Sequence, residues 1–338
     1  MSRPEPSSPG AIFLKIVDRI EGRIKKAKRP RAFKDEAAAT ALRGELFRLE
    51  GWAKIHRHWP NKKERKIFEQ IRTQTKTLED AFGEVDVCRE TAEDLLAKGQ
   101  TDLAKLFDAQ GELVRNKLKH ILKSKDWFAP GEESRTDKMR QQLTAIEWPS
   151  TTAQVDYLIL ALVNDLHAFG VRYRTELKPK LLKSVYDRKI LENDLHKFRR
   201  QLRWFSMYFQ TADGLIRLGP VSDRLTAEKR KLIADYKENE FANLPTKKIA
   251  RAQLDTLAFY ELTRLIEILC PVKDQAERYF NVRDLLIKNG VSDAKATERV
   301  RLLYGDVPTQ TPIETQAIMQ EYERLKPLSY LAESLSES

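Results

Sequence analysis

The sequence predicts an all-α protein, and three observations carry that reading. Glycine and proline are sparse, 13 and 14 in 338 residues, so breaks in helical text are few. Apolar residues recur at steps of three and four through most of the chain, the period of a helix with one buried face. No run alternates apolar and polar residues for long enough to make a sheet.

The elements follow in order. A helix over 11–28 closes on the turn text KRPRAFKD, and one over 35–57 closes on HWPNKK. Helices over 62–98 and 101–124 lead to DWFAPGEESR, and a short one over 135–147 ends at EWPS. Beyond it the spacing predicts 151–176, 178–188 and 189–218, with LGPVSD after the last. Helices over 224–238 and 247–289 flank ANLPTKK, and YGDVPTQTP separates 292–304 from 311–325. Pro271 is expected to bend or break the helix it enters, because it lacks an N–H and its ring clashes one turn back.

Two stretches align without gaps. EAAATALRGELFRLEGWA (36–53) set on ENDLHKFRRQLRWFSMYF (192–209) places Ala39, Leu42, Leu46, Leu49 and Ala53 on Leu195, Phe198, Leu202, Phe205 and Phe209. Arg43 falls on Arg199, and Thr40 on His196. Further on, EDLLAKG (93–99) resembles RDLLIKNG (283–290), each leading into a basic helix. The chain therefore reads as two diverged copies of one helical unit, 11–150 and 151–326, with 1–10 and 327–338 as polar, flexible tails.

Charged residues are 33% and apolar ones 41% of the chain, a globular composition. Sixty-one Lys and Arg against 50 Asp and Glu give a net charge of +11, which favours an anionic partner. Two cysteines, Cys88 and Cys270, make neither a disulfide framework nor a zinc site, and burial in a reducing compartment is expected. The opening MSRPEPSSPG lacks the apolar centre of a secretion signal, and YLILALV (157–163) is too short to cross a bilayer. A cytoplasmic protein without membrane insertion is expected.

The charge is concentrated in places. Residues 15–34 hold nine Lys and Arg against two acids, and 177–203 hold nine against three. Within DLHKFRRQLRWF (194–205) the core stripe takes Leu195, Phe198, Leu202 and Phe205. His196, Arg199, Arg200 and Arg203 are spaced i, i+3, i+4, i+7 and share one face of the helix. Like charges at that spacing repel, and in sequence the acids Glu192 and Asp194 sit only at the N-terminal end. An anion bridging the guanidinium groups would relieve the crowding, and the planar fork of Arg suits phosphate. The alternative is a solvated charged face.

These residues resemble the conserved histidine α-helical domain (CHAD) family, whose repeat carries a helix of the form H-x-x-R-x-x-x-R-R-x-x-R. His196, Arg199 and Arg203 match its H-x-x-R-x-x-x-R portion, with Trp204 where the adjoining arginine would stand. In the first copy Arg43 and Arg48 match, while Thr40 replaces the histidine and Phe47 one arginine. The resemblance implies two four-helix-bundle repeats with pseudo-two-fold symmetry and a basic cleft. It also implies non-catalytic binding of inorganic polyphosphate and recruitment to polyphosphate granules. The candidate ligands of the polyanion are then His196, Arg199, Arg200 and Arg203, Arg43 and Arg48, with Lys15, Arg19, Arg23 and Lys189 from the basic zones.

Two other readings stay open. A nucleic acid, RNA above all, would satisfy the charge, and Trp204 beside the basic face could stack on a base. A structural adaptor with a vestigial anion site would explain the losses in the first copy. An enzyme is not expected: no phosphate-binding glycine loop or nucleophile elbow occurs, and no E-x-E-x-K strand of the triphosphatases sometimes joined to that family. No cofactor is called for. HRH (56–58) reads as a surface helix end rather than a metal site, His120 and His167 as isolated residues, and Trp52, Trp59, Trp127 and Trp148 as scattered.

Overall fold

The computed structural model describes residues 8–129, 133–212, 214–220, 226–236, 239–242, 244 and 251–337, and it is all-α apart from two three-residue strands. The chain forms two compact units, Met1–Ala161 and Leu162–Ser338. Their division falls inside a helix, where the sequence placed it at the EWPS turn.

The first unit holds α1 (Pro9–Ala27), α2 (Glu36–Ile55), α3 (Lys62–Ala97), α4 (Thr101–Ser124) and α5 (Arg135–Thr144). Short polar side chains start four of them: Ser8, Asp35, Asn61 and Ser134 each accept a hydrogen bond from a backbone N–H of the first turn. The helix α2 packs on α1 and α3, α3 runs along α4, and α5 lies on α1. At the end of α2 the imidazole of His56 is surrounded by Phe13, Trp52, Trp59, Phe68, Trp148 and Tyr157, with ring centroids 5.0–6.4 Å away. This corrects two expectations. Of HRH only Arg57 and His58 are at the surface: His56 is 0% exposed, and three of the four tryptophans read as scattered converge on it. Trp59 and Trp148 come from turn text with no helical period, so their convergence is set by tertiary packing.

The helix α6 (Thr151–Arg172) leads into a π turn, Tyr173–Leu177, and then α7 (Lys178–Leu181). The second unit continues with α8 (Arg188–Ile190), another π turn over Leu191–Leu195, and α9 (His196–Thr211). Then come β1 (Ile216–Leu218), α10 (Ala227–Tyr236), β2 (Ala252–Leu254), α11 (Thr256–Lys288), α12 (Asp293–Tyr304), α13 (Val307–Leu325) and α14 (Pro327–Ser336). The long α11 is the hub, with α9, α10, α12, α13 and α14 packed on it.

Both aligned stripes are core: Ala39, Leu42, Leu46, Leu49 and Ala53 are buried on α2, and Leu195, Phe198, Leu202, Phe205 and Phe209 in and before α9. The segments EDLLAKG and RDLLIKNG close their helices alike. Gly99 and Gly290 both take positive φ, +72° and +85°. Gln100 N donates to Leu95 O at 2.8 Å and Val291 N to Leu286 O at 3.0 Å, the wrapped helix end that a glycine permits.

Several boundaries differ from the sequence reading. The helix expected over 178–188 stops at Leu181, and the one over 189–218 stops at Thr211. Residues 216–218 instead pair in parallel with 252–254, strands too short to register as alternation. The expected starts of 224–238 and 247–289, and residues 1–7 of the expected tail, lie outside the described residues. Pro271 leaves α11 continuous: it stands at an exposed position, and residue 267, whose carbonyl it cannot bond, is exposed as well. The segment 327–338 is not a loose tail. Through Ser336 it is α14, which buries Leu328, Leu331, Ala332 and Leu335 at three- and four-residue steps.

Candidate functional site

The basic face of α9 is built on a rigid base. Its core side carries Phe198, Leu202, Phe205 and Phe209, all fully buried, and Phe198 contacts Phe169, Tyr173 and Tyr322. The charged side is not uniform. Arg199 is only 9% exposed and faces α11, with Nη1 3.5 Å from the Cys270 sulfur and 3.7 Å from Asp274 Oδ1. Its buried Nε has no hydrogen-bond partner. Arg203 lies with its guanidinium 5.4 Å from the Phe241 ring centroid and shares with Arg199 a pocket of about 420 Å³ that also exposes Glu267 and Asp274. His196 and Arg200 are half-buried, and Arg200 lies 5.6 Å from the Trp204 ring.

Two expectations change here. Acids are scarce along the helix itself, and the sequence alone points to a bound anion as the relief of like-charge crowding. For Arg199 part of that relief comes from Asp274 on α11, some seventy residues away in sequence. Trp204, the prospective stacking platform, is 3% exposed and stacks on Tyr208 at 5.9 Å, so its ring face is taken by the protein.

The first-unit residues are largely answered by carboxylates. Arg43 donates from Nε to Glu79 at 3.0 Å and from Nη1 to Asp86 at 2.6 Å, and Gly83 on α3 leaves room for it. Burial opposes its charge, but the two carboxylates outweigh that and hold its pKa above the usual value. Buried Glu45 accepts from both Arg19 (2.9 Å) and Arg48 (3.0 Å), drawing two candidate ligands onto one anion. Lys15 and Arg23 are exposed on α1 and Lys189 on α8, and neither Arg23 nor Lys189 makes an ion pair among the described residues. The ten candidates therefore divide. Arg43, Arg48, Arg19 and Arg199 are held by the chain's own acids, and Arg23 and Lys189 stand free of ion pairs among the described residues.

Sequence reading missed another cationic cluster. In the second unit a cleft of about 500 Å³ is lined by His167, Arg174, Lys178 and Lys326, together with Tyr173, Tyr322 and Glu323. His167, Gly170, Arg174 and Lys178 step by three or four residues along α6, the π turn after it and the start of α7, a pattern the sequence does contain. Glu323 takes a hydrogen bond from the Tyr173 hydroxyl at 3.0 Å and an ion pair from Lys178 at 2.6 Å. The Lys178 hydrogen bond, ahead of burial and the Tyr173 hydroxyl, sets the direction of its pKa, below the ordinary carboxylate value.

Both cysteines fall as expected in helical text. Cys88 is buried, and burial raises its thiol pKa, which keeps it protonated and unreactive. Among the described residues no group of three His, Cys, Asp or Glu is placed to hold a metal, and no helix is long and apolar enough to cross a membrane. Comparison with known protein families, with characterised proteins and with solved structures finds no match to this chain.

Proposed function

We propose that this chain binds phosphate-rich polyanions, inorganic polyphosphate first among them, without catalysing a reaction. In this reading it is a divergent relative of the CHAD family, with two diverged helical copies and a cleft lined by Lys, Arg and His. Such a protein would collect at polyphosphate granules. The observation that carries the reading is the face of α9. His196, Arg200 and Arg203 are set at helical spacing on a helix whose other side is wholly buried, so the cations are held in fixed register. The net charge of +11 and the exposed Lys15, Arg23 and Lys189 support it, as do the matching helix ends at Gly99 and Gly290. A flexible chain with about one charge per phosphate releases counterions as such cations neutralise it, so binding weakens as salt rises.

One observation favours the second reading, a structural adaptor with a vestigial site: the carboxylate partners of Arg43, Arg19, Arg48 and Arg199. Calorimetry with long-chain polyphosphate over a salt series separates the two, using wild type and the double variant Arg200→Glu/Arg203→Glu. Loss of binding in the variant supports the polyanion reading; unchanged binding, or none in wild type, supports the adaptor. RNA is the third outcome, reached if it displaces polyphosphate at matched charge and salt. The burial of Trp204 weighs against it.

A further inference from the structure

We infer that the cleft lined by α6, α13 and α14 is a separate binding site for a small phosphate-bearing anion, of the phosphate-ester or diphosphate class. The inference does not rest on the polyphosphate reading, since it uses none of the residues on α9.

The charge balance comes first. Four cationic or protonatable groups, His167, Arg174, Lys178 and Lys326, share the cleft with one carboxylate, Glu323. Lys178 and the Tyr173 hydroxyl already satisfy that carboxylate, at 2.6 Å and 3.0 Å. Arg174 and Lys326 are exposed and make no ion pair among the described residues. The cleft therefore holds an excess of positive charge within one concave space, where a doubly charged anion gains from two cations at once. The arginine fork and the two ammonium groups match phosphate oxygens, with the fork giving direction and the lysines giving charge.

The backbone adds to this. Arg174 lies in the π turn Tyr173–Leu177, a break in α-helical register of the kind found at functional positions. Lys326 stands at the junction of α13 and α14 in the left-handed region, φ 49° and ψ 43°, where glycine would be the easier occupant. From that position Lys326 lines the cleft. Beside Ser329, the lining also includes Leu166, Tyr322 and Leu328, which suit an organic body attached to the phosphate. Gly170 lines the cleft, and a Cβ there would meet only Arg174 Nη1, at 3.8 Å, so a side chain can be introduced at this point of the lining.

Calorimetry at low salt with inorganic pyrophosphate and with phenyl phosphate tests the proposal on the full chain. Wild type should bind each with one-to-one stoichiometry. Arg174→Ala/Lys326→Gly should weaken both by tenfold or more; the glycine relieves the left-handed backbone, so the fold is kept. Gly170→Leu should weaken phenyl phosphate more than pyrophosphate, by filling the apolar part. Arg200→Glu/Arg203→Glu should leave both unchanged even where it abolishes binding of long-chain polyphosphate, which separates this site from the face of α9. Absence of saturable one-to-one binding, or affinities within twofold of wild type in both cleft variants, would overturn the proposal.

Discussion

Arg199 Nη1 on α9 lies 3.7 Å from Asp274 Oδ1 on α11, a long ion pair beside a buried Nε that has no hydrogen-bond partner. The carboxylate steadies a cation that packing has drawn out of water, and it competes with any external anion for that cation. Asp274 is also 3.3 Å from buried Lys273, whose ammonium pairs with Glu277 as well. Neutralising Asp274 therefore leaves Lys273 a carboxylate and frees Arg199.

Asp274→Asn is accordingly expected to tighten binding of long-chain polyphosphate, by about two- to fivefold at low salt. The slope of log affinity against log salt should steepen by up to about one phosphate contact. Calorimetry across a salt series reads both. Unchanged affinity and slope would mean that Arg199 takes no part in binding.

His56 makes stability depend on pH. Burial pushes its pKa down from 6.5 to about 4, against a smaller opposing effect of the hydrogen bond to the Trp52 carbonyl, 2.8 Å away. The folded chain therefore holds a neutral imidazole where the unfolded chain binds a proton. This contribution is fully present above pH 6.5 and is lost as pH falls toward 4. The loss amounts to about 2 kcal/mol by pH 5 for one group. Urea unfolding at pH 7 and pH 5 should show the drop, and His56→Phe should remove most of the difference between the two pH values whatever its absolute stability. An equal drop in the variant would place the sensitivity elsewhere.

Arg43 is expected to matter for stability more than for binding. Arg43→Ala strips Glu79, which is nearly buried, of a cation at 3.0 Å, and takes one partner from Asp86, which keeps Arg89 at 3.5 Å. The arginine is about a third exposed, so the loss is discounted to about 1–3 kcal/mol. Arg43→Lys recovers only part of it, because an ammonium cannot serve the two carboxylates with the fork's geometry. Denaturant midpoints check both; polyphosphate affinity should change less than twofold.

What the sequence made legible is what periodicity encodes. The stripe from Leu195 to Phe209 and its counterpart from Ala39 to Ala53 were readable because burial repeats with the helical turn, and every one of those positions is buried. The partners of the charged residues were not readable. Arg199 finds Asp274 and Arg43 finds Asp86 through helix packing, and no local rule links residues so distant. The cage of His56 fails for the same reason, with Phe13, Trp59 and Trp148 coming from separate segments. The cationic stripe His167, Arg174 and Lys178 was present in sequence, but Lys326 joins it only through the turn between α13 and α14.

Pro271 gives the last expectation. It lies inside α11, where it cannot donate to the carbonyl of residue 267 and where its ring crowds the preceding turn. Both Pro271 and Glu267 are exposed, so the proline contributes little packing and the residue whose carbonyl it leaves unbonded lies at the surface. Pro271→Ala restores the hydrogen bond and should stabilise the chain by about 1–2 kcal/mol, less than the ~3 kcal/mol of an isolated helix because α11 already accommodates the ring. Thermal and urea unfolding should both show the gain. Cys270 and Asp274, the neighbours of Arg199, lie on either side of the substitution, so polyphosphate affinity is measured alongside. If stability rises while polyphosphate affinity changes, Pro271 helps set the pocket around Arg199; if stability falls, the proline is required by the packing of α9, α12 and α13 on α11.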